Sequence, residues 1–256
     1  MKLSLASRLS SLLGAAVLAG AWLTAPCRAE TPAVKTGESI AFLGDSITAQ
    51  GAASPAGYVR LVISGLDANG IKATAIPAGV GGHKSNNMLA RLKTDVLDKK
   101  PTWMTLSCGV NDVWHGAKGV PLEAYKKNIT AIVDQAQAAG IKVVVLTSTL
   151  ITEDPEGAFN KTAVEYNEFL RALAKEKKCL LADLNADMRA ALAAAPADPK
   201  KRGKVLTADG VHMNAQGNQM MAVGILRSFG LDAGQIDKAK KAWQTPAVPK
   251  PAKNAK

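Results

Sequence analysis

With 256 residues, 47% of them apolar, the chain can bury one sizeable core, which excludes disorder along its whole length. Its formal net charge of +11, from 32 Lys and Arg against 21 Asp and Glu, sits largely at the two ends and excludes a nucleic-acid footprint on the part between. Lys2, Arg8 and Arg28 precede Glu30 with no acid among them, so +11 becomes +8 without them; the six lysines against Asp237 in residues 235–256 remove a further +5 and leave about +3.

In chain order, the N-terminus reads as a secretory leader. Charged Lys2 and Arg8 are followed by an apolar stretch at 12–23, short for a bilayer span, and by the small-residue spacing of Cys27 and Ala29. Residues 1–29 are therefore expected to be a signal peptide removed before Glu30, and the protein to be periplasmic or extracellular. An uncleaved anchor is the alternative, and Pro26 argues against a lipid-bearing Cys27.

Beyond the leader, apolar runs of β type at 39–43, 72–76, 103–108, 142–146 and 179–183 alternate with stretches of helical period. That alternation predicts one α/β domain over 30–232, with parallel strands joined by crossover helices. The runs are continuous in apolar residues, as expected of strands covered on both faces. Val59, Val62, Ile63 and Leu66 share one helix face that Gly70 closes; a helix opened by Pro121 carries Leu122, Tyr125, Ile129, Ile132, Val133 and Ala136 to Gly140. A third runs over 158–177 through Val164, Phe169, Leu170 and Leu173, and a last one, capped by Asn214, carries Met220, Met221, Val223 and Ile225 towards Gly230. Cys108 and Cys179 fall in runs that read as separate buried strands and are expected to be free thiols, a disulfide being the alternative. Residues 233–256, basic and rich in Pro, Ala and Lys, are expected to be a disordered, solubilising tail that anionic cell-wall polymer would attract.

Four short blocks stand where the strands end: Gly44-Asp45-Ser46-Ile47-Thr48, Gly79-Val80-Gly81-Gly82, Gly109-Val110-Asn111-Asp112 and Asp209-Gly210-Val211-His212. In open α/β sheets the carboxyl ends of the strands share one edge, so these blocks converge. Gly44 lets the chain turn off its strand and expose the Ser46 hydroxyl, although the tripeptide alone also fits an ordinary turn or a helix cap. An acid three residues before an imidazole, on a turn kept compact by Gly210, lets Asp209 hold Nδ1 of His212 and leaves Nε2 for the serine; Asp209 alone also fits a helix cap. Asn111 and Gly82 supply a carboxamide N–H and a backbone N–H, two neutral donors for an oxyanion, and their placement after adjacent parallel strands favours that use over a plain turn and a hinge. His83, Trp114 and His115 are positioned to line a substrate wall beside those donors, the two histidines ranking below His212 as base because neither has an acid at that spacing. Nucleophile, base, orienting acid and oxyanion donors are the minimum kit for acyl transfer through a serine ester.

Taken in order over about residues 39–230, the four blocks resemble the SGNH hydrolase superfamily, also called the GDSL esterase/lipase family. The resemblance implies a flavodoxin-like three-layer α/β/α sandwich with a five-stranded parallel sheet, and chemistry with no metal and no diffusible cofactor. It also implies Ser46 as nucleophile, Asp209 and His212 as acid and base, and Ser46, Gly82 and Asn111 as the oxyanion hole. Pro77 and the His83-Lys84 pair depart from residues common in the family, which bears on substrate preference more than on catalysis. The expected activity is a secreted serine ester hydrolase that removes small acyl groups, acetyl above all, from carbohydrate through a covalent acyl-enzyme. A lipase or thioesterase on longer chains, or a non-catalytic cell-wall glycan-binding module, is the alternative.

Overall fold

The computed structural model describes residues 31–195 and 204–244, which excludes the expected leader, residues 196–203 and residues 245–256. Five apolar runs form one all-parallel sheet: β1 (Ser39–Gly44), β2 (Thr74–Gly79), β3 (Trp103–Ser107), β4 (Lys142–Leu146) and β5 (Leu180–Ala182), in spatial order β2-β1-β3-β4-β5. The register pairs Ile40 with both Ala75 and Trp103, Trp103 with Lys142, and Val144 with Leu180. Helices α2 (Tyr58–Ala68) and α8 (Ala215–Ser228) pack together on one face, while α3 (Ser85–Asp95), α5 (Leu122–Ala138) and α6 (Ala158–Glu176) pack in sequence on the other. The result is the three-layer α/β/α sandwich.

Burial on both faces explains why β1, β3 and β4 read as unbroken apolar runs. Ile40, Phe42, Leu43, Met104, Leu106, Val144 and Val145 are all fully buried, and each contributes on the order of 2 kcal/mol of apolar burial. Phe42 meets Tyr58 edge to face, and Trp103 meets Phe229 in the same way, so aromatic contacts tie β1 to α2 and β3 to the end of α8.

Several expectations need correction. The second strand lies two to three residues later than 72–76 and includes Pro77, because β2 is an edge strand that pairs only with β1 and does not need the missing N–H on its open side. Gly82 and Asn111 do not follow adjacent strands: β1 lies between β2 and β3, which places the Ser46 turn between the other two. Cys108 is buried, but Cys179, just before the short edge strand β5, is only partly so; both are free thiols, near opposite ends of non-adjacent strands.

The largest correction concerns the tail. Ala233–Gln244 is a helix, α9, packed against α2, with Ile236 and Ala239 buried and Trp243 Nε1 donating to Leu61 O at 3.0 Å. Ile236, Ala239 and Trp243 recur at helical spacing while Lys238, Lys240 and Lys241 face solvent, so the lysines are the wet side of an amphipathic helix. Helices α1 (Ser46–Ala53), α4 (Val110–Trp114) and α7 (Leu184–Ala194) complete the set among the described residues.

Candidate active site

Three of the four blocks lie where β1, β2 and β3 end, and the connections leaving the neighbouring strands β1 and β3 run in opposite directions, to β2 and to β4. This is the switch point at which an open parallel sheet forms a crevice.

Ser46 is the first residue of α1. Its helix is capped by Asp45, whose Oδ1 accepts from Ile47 N at 2.9 Å, and a Cβ on Gly44 would run into the Thr48 side chain, so the elbow needs glycine there. His212 and Asp209 come from a turn with no helix or strand of its own, closed by one antiparallel bridge between Thr207 and Met213. Asp209 Oδ2 lies 2.7 Å from His212 Nδ1, and its Oδ1 accepts from Val211 N at 3.0 Å and His212 N at 2.8 Å. Gly210, with φ +97, packs over Thr152. With Nδ1–H donated to Asp209, Nε2 is the acceptor, and Ser46 Oγ–H donates to it at 2.9 Å. Burial alone would raise the Asp209 carboxyl, but the hydrogen bonds from the His212 ring and from the His212 and Val211 backbone outweigh it and hold the group at about 2.

On the other side of Ser46, Val80–His83 forms a turn in which His83 N donates to Val80 O and Gly82 takes φ +73, the left-handed conformation that a type II turn requires at that position. A Cβ on Gly81 would stand 3.9 Å from Ser46 Cβ, so this turn runs directly beside the serine. Asn111 sits in the first turn of α4, 5% exposed, where its Nδ2 donates to Asp45 Oδ2 at 3.3 Å and to His83 O at 3.2 Å. Both bonds are long, so they orient the carboxamide and leave it able to share a proton with a developing oxyanion.

The residues expected on a substrate wall are arranged differently from one another. Trp114 is 42% exposed one turn beyond Asn111, beside His115, whose Nδ1 is 2.9 Å from Asn111 O. The His83 ring turns inward to Arg91. Lys84 is tied, its Nζ donating to Lys118 O.

Sequence reasoning missed the residues beneath the site. Asp45 is 2% exposed, and burial raises its carboxyl to about 6 despite the Ile47 bond and the nearby His212. Asp112, also buried and raised by burial, accepts from Ser85 N at 3.0 Å and so joins the start of α3 to α4. Glu153, in the loop after β4, accepts from Val205 N, Leu206 N, Thr207 N and Thr207 Oγ1, all at 2.6–2.7 Å, and thereby holds the segment leading to Asp209. Asp45 and Asp112 stand inside the quoted blocks and were legible as neighbours; nothing in the sequence marks Glu153. Among the described residues no group of three His, Cys, Asp or Glu is arranged to hold a metal ion.

The sequence profile of the GDSL-like lipase/acylhydrolase family matches residues 42–220. An acetylxylan esterase of Geobacillus stearothermophilus is 27% identical over 221 residues, covering 78% of this chain and 97% of that protein. Esterase TesA of Pseudomonas aeruginosa is 30% identical over 110 residues, covering 43% of this chain and 53% of that protein. The crystal structure of an acetyl xylan esterase, AlAXEase, superposes with a TM-score of 0.69 at 32% identity, covering 74% of this chain and 98% of that one.

Proposed function

This chain belongs to the GDSL-like lipase/acylhydrolase family and is a carboxylic ester hydrolase, and from that premise we propose that it removes acetyl groups from carbohydrate through a serine acyl-enzyme. The observation that carries the chemistry is the unbroken chain Asp209–His212–Ser46, at 2.7 and 2.9 Å, beside the Gly81–Gly82 turn and Asn111. In this reading Ser46 Oγ attacks the ester carbonyl as its proton passes to His212 Nε2, and Asp209 stabilises the imidazolium. The backbone N–H groups of Ser46 and Gly82 and the Asn111 carboxamide bind the oxyanion. His212 then returns its proton to the leaving sugar oxygen, and water activated by the same imidazole releases acetate and frees Ser46.

Two kinds of support favour a sugar ester. The similar proteins of near-full coverage include acetylxylan esterases, and Trp114 offers an exposed ring, of the kind that stacks on a sugar face, one turn beyond the oxyanion donor Asn111. We also propose export, with the leader removed before Glu30. Export puts the enzyme in contact with polymeric glycan.

The test is a panel of acetylated xylo-oligosaccharides against 4-nitrophenyl esters of graded chain length. Acetyl esters should be best, acetylated oligosaccharides better than 4-nitrophenyl acetate, and activity should fall steeply beyond about four acyl carbons, because the short spacing between the blocks leaves little chain to build an acyl tunnel. A preference for octanoyl over acetyl esters would overturn the deacetylase reading.

A further inference from the structure

Arg91 lies on α3, and its i, i+4 spacing to Asp95 predicts an ordinary surface pair. Its guanidinium is instead mostly buried, 12% exposed, and reaches back to the ends of two strands. Nη2 donates to Gly44 O at 2.8 Å, at the end of β1 just before the nucleophile's turn. Nη1 donates to Ala78 O at 2.8 Å, near the end of β2, and to Asp95 Oδ2 at 2.7 Å. Nε donates to Nδ1 of His83 at 3.0 Å, and the His83 carbonyl is in turn the acceptor for Asn111 Nδ2. One side chain therefore touches the serine turn and the glycine turn, and through His83 it is one bond from the carboxamide donor.

The chemistry of this contact fixes the state of His83. A guanidinium only donates, so Nδ1 must carry a lone pair, and the ring is neutral with its proton on Nε2. Partial burial of the ring, and then the Arg91 charge, lower the His83 imidazole from its ordinary value, which agrees with that state. Asp95, on the far side of the guanidinium, is held low chiefly by its hydrogen bond from Arg91 and supplies the countercharge.

We propose that Arg91 is a positioning residue which sets the Ser46 turn and the Gly82 turn relative to each other, and that His83 serves as its acceptor and as the Asn111 brace, not as a substrate ligand. This rests on the esterase reading. It replaces the sequence-based expectation for the His83 side chain and leaves Trp114 and His115 as the wall residues.

Three measurements test it together. Arg91→Lys keeps the charge but is a point donor that cannot serve acceptors spread across a planar fork. It should lower kcat for 4-nitrophenyl acetate by about 10- to 100-fold, with KM changed less than about twofold, as expected when reacting groups shift while the ground-state contacts persist. His83→Ala should lower kcat without raising KM, and His83→Asp, which restores an acceptor for the guanidinium, should recover several-fold of that loss. In ¹⁵N-labelled protein, one histidine should show an unprotonated Nδ1 and a protonated Nε2, and lose that preference in Arg91→Lys. An unchanged kcat in Arg91→Lys, a KM effect in His83→Ala, or no advantage of Asp over Ala at position 83 would each overturn the proposal. A wild-type protein inactive on every ester would count against the esterase reading instead, while the histidine spectrum, which needs no substrate, would still read the Arg91 contact.

Discussion

Ser46 and Asn111 each stand in the first turn of a helix that begins where a buried parallel strand stops, whereas Asp209 and His212 stand on a turn with neither helix nor strand beneath it. On the first side the supporting polar groups are hidden: Asp45 and Asp112 are 2% exposed and Asn111 5%. On the second the Asp209 side chain is 55% exposed, and much of what holds the segment before it is the single carboxylate of Glu153. The difference teaches that oxyanion donors must be fixed before charge develops, which favours a rigid, buried frame, while a base that moves protons in both directions is kept near solvent on a short tether.

Changes at the reacting atoms should not distinguish the two sides, which makes them the largest effects expected. Ser46→Ala and His212→Ala should each lower kcat by about 10⁴-fold or more, and the double variant should be little worse than either single one, because the two residues act as a unit. Initial rates on 4-nitrophenyl acetate settle this. Asn111→Ala should lower kcat by about 10²–10³-fold with KM nearly unchanged; a variant that lost binding and kept turnover would make Asn111 a ground-state contact and break the contrast.

Support residues should then separate the halves. Glu153→Ala removes the shared acceptor of three consecutive N–H groups, so kcat should fall by about 10-fold through misplacement of the acid–base turn, with KM little moved. If turnover stayed at the wild-type level, that turn would not depend on its tether.

The pH dependence of stability sharpens the comparison further. Asp45 titrates at about 6 in the folded protein and near 3.9 unfolded, so between those values the folded state holds the extra proton and stability falls as pH rises, by ~2–3 kcal/mol in all. Asp209, at about 2, works in the opposite sense: the stability it adds is present above pH ~4 and is lost only as pH falls towards 2. Urea unfolding from pH 4 to 7 should therefore show a decline that Asp45→Asn reduces, leaving what Asp112, also raised by burial, contributes, and that Asp209→Asn leaves in place. The smallest effect belongs to Trp114→Ala, which should raise KM for an acetylated oligosaccharide by about fivefold, on the order of 1 kcal/mol, and leave 4-nitrophenyl acetate unaffected.

How much of this was legible in the sequence depended on what kind of force placed each residue. β1, β3 and β4 are covered on both faces, so their apolar runs announced them, and β4 spans the residues expected of it. β2 lies later than the apolar run 72–76 because, on an open edge, the strand continues through Pro77 without needing its missing N–H. Helix α9 is masked in composition because its lysines adjoin those of residues 245–256, while the signal that marks it is the Ile236, Ala239, Trp243 stripe. The four blocks could be read because each is local, a few residues with a chemical logic of their own. Arg91 and Glu153 could not: Arg91 meets Gly44 from 47 residues away and Glu153 meets Val205 from 52, and their roles exist only once the strands have brought those backbone groups together.

The central claim is that Ser46 is the nucleophile of a serine ester hydrolase, and covalent labelling with a fluorophosphonate followed by peptide mapping tests it most directly. The account predicts a single adduct on Ser46, formed slowly in His212→Ala and absent in Ser46→Ala, with loss of ester hydrolysis tracking the extent of labelling. An adduct on a different residue, or ester hydrolysis that survives in Ser46→Ala at the wild-type rate, would contradict it.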